Sequence, residues 1–300
     1  MPLSSAPLSI AAVERETGLS KDTLRVWERR YRFPLPRRDG NGERTYPPDQ
    51  VEKLRLIKKL MDRGYRPGKL VDKAPESLRA LAEDAAPLDA PGTLLPYIAM
   101  CRQHRVDELK QALAQSLLRM GMYAFVTDVV APLTSLVGAE WANGRLAVFE
   151  EHLYTEAMQS VLRQAIAAIP ASAVKRRPLI LLSTTSGEPH FLGLLMAEAI
   201  LTLEGAQCLS LGVQTPVDEI AHAAHAQDAD IVALSFSSAA PPAQVLNALA
   251  DLRLALPPHM EIWTGGQCPV LDRRRPPGIT HLHLHDISRA LAHWRANRPA

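Results

Sequence analysis

The sequence predicts a multidomain chain of α and α/β parts, helical through residue 174 and α/β from 175 to its end at 300. Three observations predict this. The formal charge of +2 is split: residues 1–73 hold 17 Lys and Arg against 10 Asp and Glu, a balance of +7, and the remainder holds 17 against 22, a balance of −5. Between residues 75 and 170 apolar side chains recur at helical spacing, as at Leu109, Leu113 and Leu117, with no strand-like alternation. After that, four short apolar runs of buried-strand type (Leu179–Leu182, Cys208–Leu211, Ile231–Ser235 and Glu261–Thr264) alternate with helical stretches near 191–203, 217–227 and 241–256. Such alternation is the pattern of a doubly wound parallel sheet covered by helices on both faces.

Composition narrows the class. A chain of 300 residues, 47% hydrophobic, is long enough for two or three domains with cores of their own. No run approaches the about 20 apolar residues that a membrane span needs. The first ten residues lack the basic and apolar blocks of a secretory signal. Cys101, Cys208 and Cys268 are scattered and odd in number, which excludes a disulfide framework and a cysteine metal site and points to a reducing cytoplasm. A basic head on an acidic body is the footprint of a chain that meets a polyanion at one end.

In the head, Ser9 precedes Ile10 and Val13 as an N-cap, Gly18 ends that helix, and Ser20 caps a second one from Lys21 to Tyr31. Two capped helices joined by a glycine-containing turn form a helix-turn-helix. Leu24 and Trp27 share its inner face, while Lys21, Arg25, Arg29, Arg30 and Arg32 leave a wide cationic surface for phosphates or guanine edges. The run Asp39-Gly-Asn-Gly42 supplies positive-φ residues for a hairpin flanked by Arg37, Arg38 and Arg44. Pro48 and Asp49 start a third helix, carrying Val51, Leu54, Ile57, Lys58 and Met61, that stops at Gly64. This stretch resembles the winged helix-turn-helix of the MerR family, through Leu24-Arg25, Trp27-Glu28-Arg29, the wing ending Arg44-Thr45-Tyr46 and the closing Gly64-Tyr65. The resemblance implies that Lys21, Arg25, Arg29, Arg37, Arg38, Arg44 and Tyr46 face double-stranded DNA, that the protein is at least a dimer, and that an effector domain follows.

The middle, residues 75–174, is predicted to be a small bundle after a proline-punctuated hinge at Pro75, Pro87, Pro91 and Pro96, with helices at 106–118, 120–141 and 148–169. Gly144 separates the last two. It places Trp141 at one helix end and the Glu151-His152 pair near the start of the next. A Trp, a carboxylate and an imidazole at one end of a bundle could cover a flat, polar-edged ligand. Equally, Trp141 could be core, Glu150 and Glu151 first-turn carboxylates on the helix dipole, and His152 a surface residue.

In the α/β part, ligands are expected at the carboxyl ends of the strands, in the loops Thr184–His190, Gly212–Pro216, Ser235–Ala240 and Gly265–Gln267. These loops carry a second resemblance. Glu188, His190 and Gly193 are similar to the Asp-x-His-x-x-Gly signature of cobalamin-binding domains, with Glu in place of Asp. Forty-one residues later come Ser235 and Ser237, and 27 beyond those the pair Gly265-Gly266. The resemblance implies that His190 is the ligand to cobalt, that Glu188 orients its other nitrogen, and that Ser235, Ser237 and the glycines line a channel for the nucleotide tail.

Taken together, head, bundle and sheet resemble the CarH/LitR class of adenosylcobalamin-dependent light-sensing repressors. Three domains are implied: 1–74 for DNA, 75–174 as a cobalamin cap, and 175–300 as a cobalamin-binding-like α/β domain. In that class the cofactor lies between the last two, so Trp141 and Glu151 would shelter its adenosyl group with His152 nearby. Bound cofactor favours a DNA-binding homo-oligomer, dimer or tetramer, and photolysis dismantles it. One position departs: in the class a histidine directly after the tryptophan ligates cobalt after photolysis, where this chain has Ala142. That leaves open a regulator sensing cobalamin level, or another ligand, without photochemistry. A cobalamin-carrying enzyme subunit is a further alternative, but no room remains for a catalytic barrel of roughly 250 residues, and no HExxH, GxSxG or Walker loop is present.

Overall fold

The computed structural model describes residues 7–40, 42–62, 65–83, 92–170, 177–274 and 276–298. The chain packs into two compact units, one of Met1–Asp89 with Ala139–Arg145, the other of Ala90–Gly138 with Leu146–Ala300.

The first unit opens with β1 (Leu8–Ser9), which the sequence did not signal, and helices α1 (Ile10–Thr17) and α2 (Lys21–Tyr31). Both predicted caps form. Ser9 accepts from the Ala12 amide and Ser20 from the Thr23 amide, and Gly18 closes α1 at φ +68°. β2 (Arg37–Arg38) and β3 (Arg44–Tyr46) make the wing, with β3 in the middle of the order β1-β3-β2. Of the two hairpin glycines only Gly42 takes a positive φ, at +81°, and its N–H donates to the Asp39 carbonyl. Asn41 lies outside the described residues. α3 (Pro48–Asp62) buries Val51, Leu54 and Ile57 against Val13, Leu19, Leu24 and Trp27, and α4 (Pro75–Glu83) adds Leu78. Truncating a leucine such as Leu24 in so closed a core costs about 2–5 kcal/mol. The predicted stop at Gly64 and the prolines 87 and 91 fall outside the described residues.

The second unit begins with α5 (Leu95–Arg102) and α6 (Val106–Met120). The predicted helix 120–141 is not uniform. Gly121 breaks it from α6, a single turn α7 (Met122–Ala124) leads into a π stretch at Phe125–Val130, and α8 (Ala131–Ala142) follows. α9 (Val148–Ala167) completes the bundle. Here one expectation is corrected: Met122–Ala142 is, by length and composition alone, apolar enough to cross a membrane. Within it Phe125, Val126, Val130, Leu133 and Val137 are buried in the bundle, and the hydroxyls of Thr134 and Tyr154 pair at 2.7 Å. Burial pushes the Tyr154 phenol far up.

The rest of the unit is a five-stranded parallel sheet. Its strands are β4 (Leu179–Thr185), β5 (Gln207–Thr215), β6 (Ile231–Phe236), β7 (Glu261–Gly266) and β8 (Ile279–His281), in the order β5-β4-β6-β7-β8. α10 (Leu192–Leu203), α11 (Val217–Ala226), α12 (Pro242–Ala255), α13 (Pro269–Arg273) and α14 (Ile287–Ala296) cover it. β8, α13 and α14 were not signalled. The strand order reverses between β4 and β6, which makes the carboxyl ends of those two strands the crevice where doubly wound sheets take ligands. The strands also run further than the apolar runs suggested, so Ser235, Gly265 and Gly266 are strand ends rather than loop residues. α10 is apolar on nearly every face because it packs on the sheet and also on α7 and α9 of the bundle.

Candidate functional site

The cationic face predicted on the head is built largely as expected. Lys21, Arg25, Arg29, Arg37 and Arg38 are exposed. Lys21 approaches Glu14 at 3.6 Å and Arg25 approaches Asp22 at 3.4 Å, solvated pairs of the kind that yields readily to a phosphate. Tyr46 is placed otherwise. It is fully buried, and its hydroxyl donates to Glu28 Oε1 at 2.7 Å while Arg44 Nε donates to Glu28 Oε2 at 3.2 Å. Burial and the Glu28 carboxylate push the phenol well above its ordinary range. Tyr46 therefore does not face outward: it pins the wing to α2 from inside, through Glu28 of the Trp27-Glu28-Arg29 motif.

At the end of α8, the Glu140 carboxylate accepts from Arg145 Nε at 2.9 and 3.0 Å, and Arg145 N–H donates to the Glu140 carbonyl at 2.8 Å. This clasp and Gly144 at φ +70° set the turn that follows half-buried Trp141. Glu150 caps α9 by accepting from the Ala147 amide at 2.7 Å, as a first-turn carboxylate should. Glu151 Oε1 accepts from Thr155 at 2.7 Å, and its Oε2 lies 3.5 Å from Nε2 of exposed His152.

The densest arrangement sits at the switch point of the sheet. Glu188, in the loop after β4, is buried. Its Oε1 takes the His190 backbone N–H at 3.1 Å and pairs with His190 Nδ1 at 2.6 Å. Its Oε2 accepts from both the N–H and the hydroxyl of Ser237, at 2.8 and 2.9 Å. One carboxylate thus ties the loop after β4 to the loop after β6. Burial raises the Glu188 acid, but the hydrogen bonds from His190 and Ser237 outweigh it and hold the carboxylate ionised. The same hydrogen bond raises the His190 imidazole. The His190 side chain is 60% exposed, so Nδ1 is committed to Glu188 while Nε2 is left to meet a metal, the usual division of labour in metal-ligating histidines. The longer Glu in place of Asp is accommodated because its carboxylate also bridges to Ser237. Buried Thr184, the first residue of the predicted loop 184–190, braces it: its hydroxyl donates to the Glu188 carbonyl at 2.6 Å and accepts from the Gln214 amide at 2.9 Å.

The glycines explain themselves by what a side chain would strike. A Cβ at Gly193 would lie 2.6 Å from Ser235 Oγ, one at Gly265 3.3 Å from the Leu282 carbonyl oxygen, and one at Gly266 only 2.1 Å from the Phe236 carbonyl oxygen. Gly193, Ser235, Ser237, Gly265 and Gly266 therefore gather near Glu188 and His190 at the carboxyl ends of β4, β6 and β7, and this donor set and close-packed backbone fit a corrinoid, whose cobalt His190 would hold. Glu151 belongs to the same neighbourhood, since its charge acts on the His190 imidazole.

Residues 8–73 match the MerR HTH family of regulatory proteins, and residues 97–166 match the B12 binding domain family. The HTH-type transcriptional repressor CarH of Myxococcus xanthus is 28% identical over 83% of this chain and 85% of its own. The HTH-type transcriptional repressor CarA of the same organism is 31% identical over 84% of each. In fold, the chain is similar to the monomethylamine corrinoid protein of Methanosarcina barkeri, with a TM-score of 0.51 at 14% identity over 65% of this chain and 94% of that one. With this identity sustained over both chains, the protein belongs to the family of HTH-type transcriptional repressors that includes CarA and CarH, a MerR-type DNA-binding regulator under the control of B12.

Proposed function

We propose that the protein is a cytoplasmic, non-enzymatic repressor whose DNA-binding oligomer is stabilised by adenosylcobalamin held on His190. The observation that supports this most is the Glu188–His190–Ser237 cluster at the sheet's switch point, beside close-packed glycines of which Gly266 leaves no room for a side chain. Bound there, adenosylcobalamin would supply a cobalt centre with a light-labile upper bond. Glu188 orients the imidazole and keeps Nε2 the ligating atom. Ser235, Ser237, Gly265 and Gly266 would line the channel for the nucleotide tail. Glu151, with His152 beside it, would meet the upper face, and the family resemblance assigns Trp141 to the same group. Lys21, Arg25, Arg29, Arg37, Arg38 and Arg44 would contact operator DNA, the last through a wing held by Glu28. Control is a population shift: the cofactor favours one assembly, and loss of its upper group removes that bias.

A second reading is favoured by Ala142, which stands where light-sensing relatives have a cobalt-ligating histidine: the chain would then respond to cobalamin level rather than to light. Gel shift and size-exclusion runs on the full chain, with and without adenosylcobalamin, in the dark and after illumination, separate the two. The first reading expects cofactor-dependent oligomer and DNA binding lost on illumination, and the second expects both to survive it. Cofactor-independent assembly and DNA binding would reject both. In the same titration Arg25→Ala is expected to weaken operator binding about tenfold, within the about 1–3 kcal/mol of a base-edge contact, without changing cofactor uptake. Unchanged affinity at fixed salt would remove Arg25 from the recognition surface.

A further inference from the structure

We propose that Asp272, His281 and His283 form a second metal site, for a divalent first-row transition ion such as zinc, at the edge of the α/β sheet. The three side chains come from two pieces of chain. His281 ends β8 and is paired in register with Thr264 of β7, His283 follows two residues later in extended backbone just beyond the strand, and Asp272 sits in the short helix α13. Residues i and i+2 of an extended strand share a face, so His281 and His283 are delivered to the same side. Their rings meet edge to face at 5.4 Å.

The distances are those of ligands to one ion. Asp272 Oδ1 lies 3.5 Å from His281 Nε2 and 3.8 Å from His283 Nε2, and all three ligating atoms fall within 4.8 Å of one another. Two nitrogen or oxygen ligands on a tetrahedral zinc are about 3.3 Å apart when each bond is about 2.0–2.1 Å long. Direct hydrogen bonds would bring the atoms closer, to about 2.7–3.2 Å. The His281 side chain is only 3% exposed, and its Nδ1 lies 3.1 Å from the Thr264 hydroxyl. With Nδ1–H donating to Thr264, the lone pair is on Nε2, toward Asp272, and the threonine serves as the outer partner that metal-bound histidines ordinarily have. Two imidazoles and one carboxylate suit zinc and its neighbours rather than calcium or magnesium, and three protein ligands leave a coordination position for water or a further group. His285 stacks on His283 at 5.5 Å but sits beside Asp286, outside the ligand set.

The site is independent of the His190 cluster in its residues. It would fasten β8 to α13 and hold Leu282, whose carbonyl lies against Gly265, between its two histidine ligands.

The test is calorimetric titration of the untagged, corrinoid-free full chain with Zn²⁺. One equivalent is expected to bind saturably in the micromolar range or tighter. His283→Ala and Asp272→Asn, both at exposed positions, should weaken it at least about tenfold with an unchanged circular dichroism spectrum, and His190→Ala should bind as the parent does. Absence of saturable binding in the parent overturns the proposal. So does undiminished binding by the two site variants, or loss of binding in His190→Ala, which would place the zinc on the corrinoid ligand.

Discussion

His190→Ala is expected to lower cobalamin affinity on the order of 100-fold and to return the visible spectrum of the bound cofactor to that of free cofactor. Removing a metal ligand costs at least as much as removing an outer-shell partner, which is typically worth about 10–100-fold. The fold should persist at a cost of about 1–3 kcal/mol, because buried Glu188 loses the imidazole but keeps the residue-190 amide and both Ser237 donors. Glu188→Gln should fall between parent and His190→Ala. The amide keeps one acceptor for two loops, so either His190 loses its partner or a Gln N–H faces the Ser237 N–H. Equilibrium dialysis with adenosylcobalamin in the dark measures both. If His190→Ala retains the cofactor with parental affinity and spectrum, the imidazole is not the cobalt ligand and the sensing site lies elsewhere.

Gly266→Ala is expected to destabilise the second unit by about 3 kcal/mol or more, a fall in Tm on the order of 10 °C for a unit of this size. Gly266 holds φ at +98°, a conformation costly for any L side chain, and its Cβ would sit 2.1 Å from the Phe236 carbonyl oxygen. That oxygen is backbone in the sheet interior and already accepts the Gln267 N–H at 2.9 Å, so no rotamer change can clear it. Gly193→Ala should be milder, since the obstacle there is the Ser235 hydroxyl, which can rotate. Gly138→Ala, with nothing within 4 Å in a helix, should leave Tm unchanged or slightly higher. Differential scanning calorimetry ranks the three. A Gly266→Ala protein that melts with the parent would mean the strand ends of β6 and β7 are free to separate.

What the sequence by itself determined was local. Ser9 and Ser20 cap because a short hydroxyl reaches the next turn's amide, Gly18 stops α1 because only glycine turns left at no cost, and the apolar runs of β4, β6 and β7 are strands largely buried in the sheet, with that of β5 half-buried at its edge. The spacing Glu188, His190, Gly193, Ser235, Ser237, Gly265, Gly266 was also legible, since all but Gly193, in the first turn of α10, lie at or just after a strand's carboxyl end. Tertiary structure decided whatever depends on partners distant in the chain. It drew Tyr46 inward to Glu28, 18 residues away, and joined Glu188 to Ser237 across 49. It buried Phe125, Val126, Val130, Leu133 and Val137 of an apolar helical run in the bundle, and brought Asp272 to His281 at the end of a short strand and His283 just beyond it. Hydrogen bonds and ligand clusters are set by which loops the sheet order makes neighbours, and that order is a property of the packed strands, which periodicity along one segment does not record.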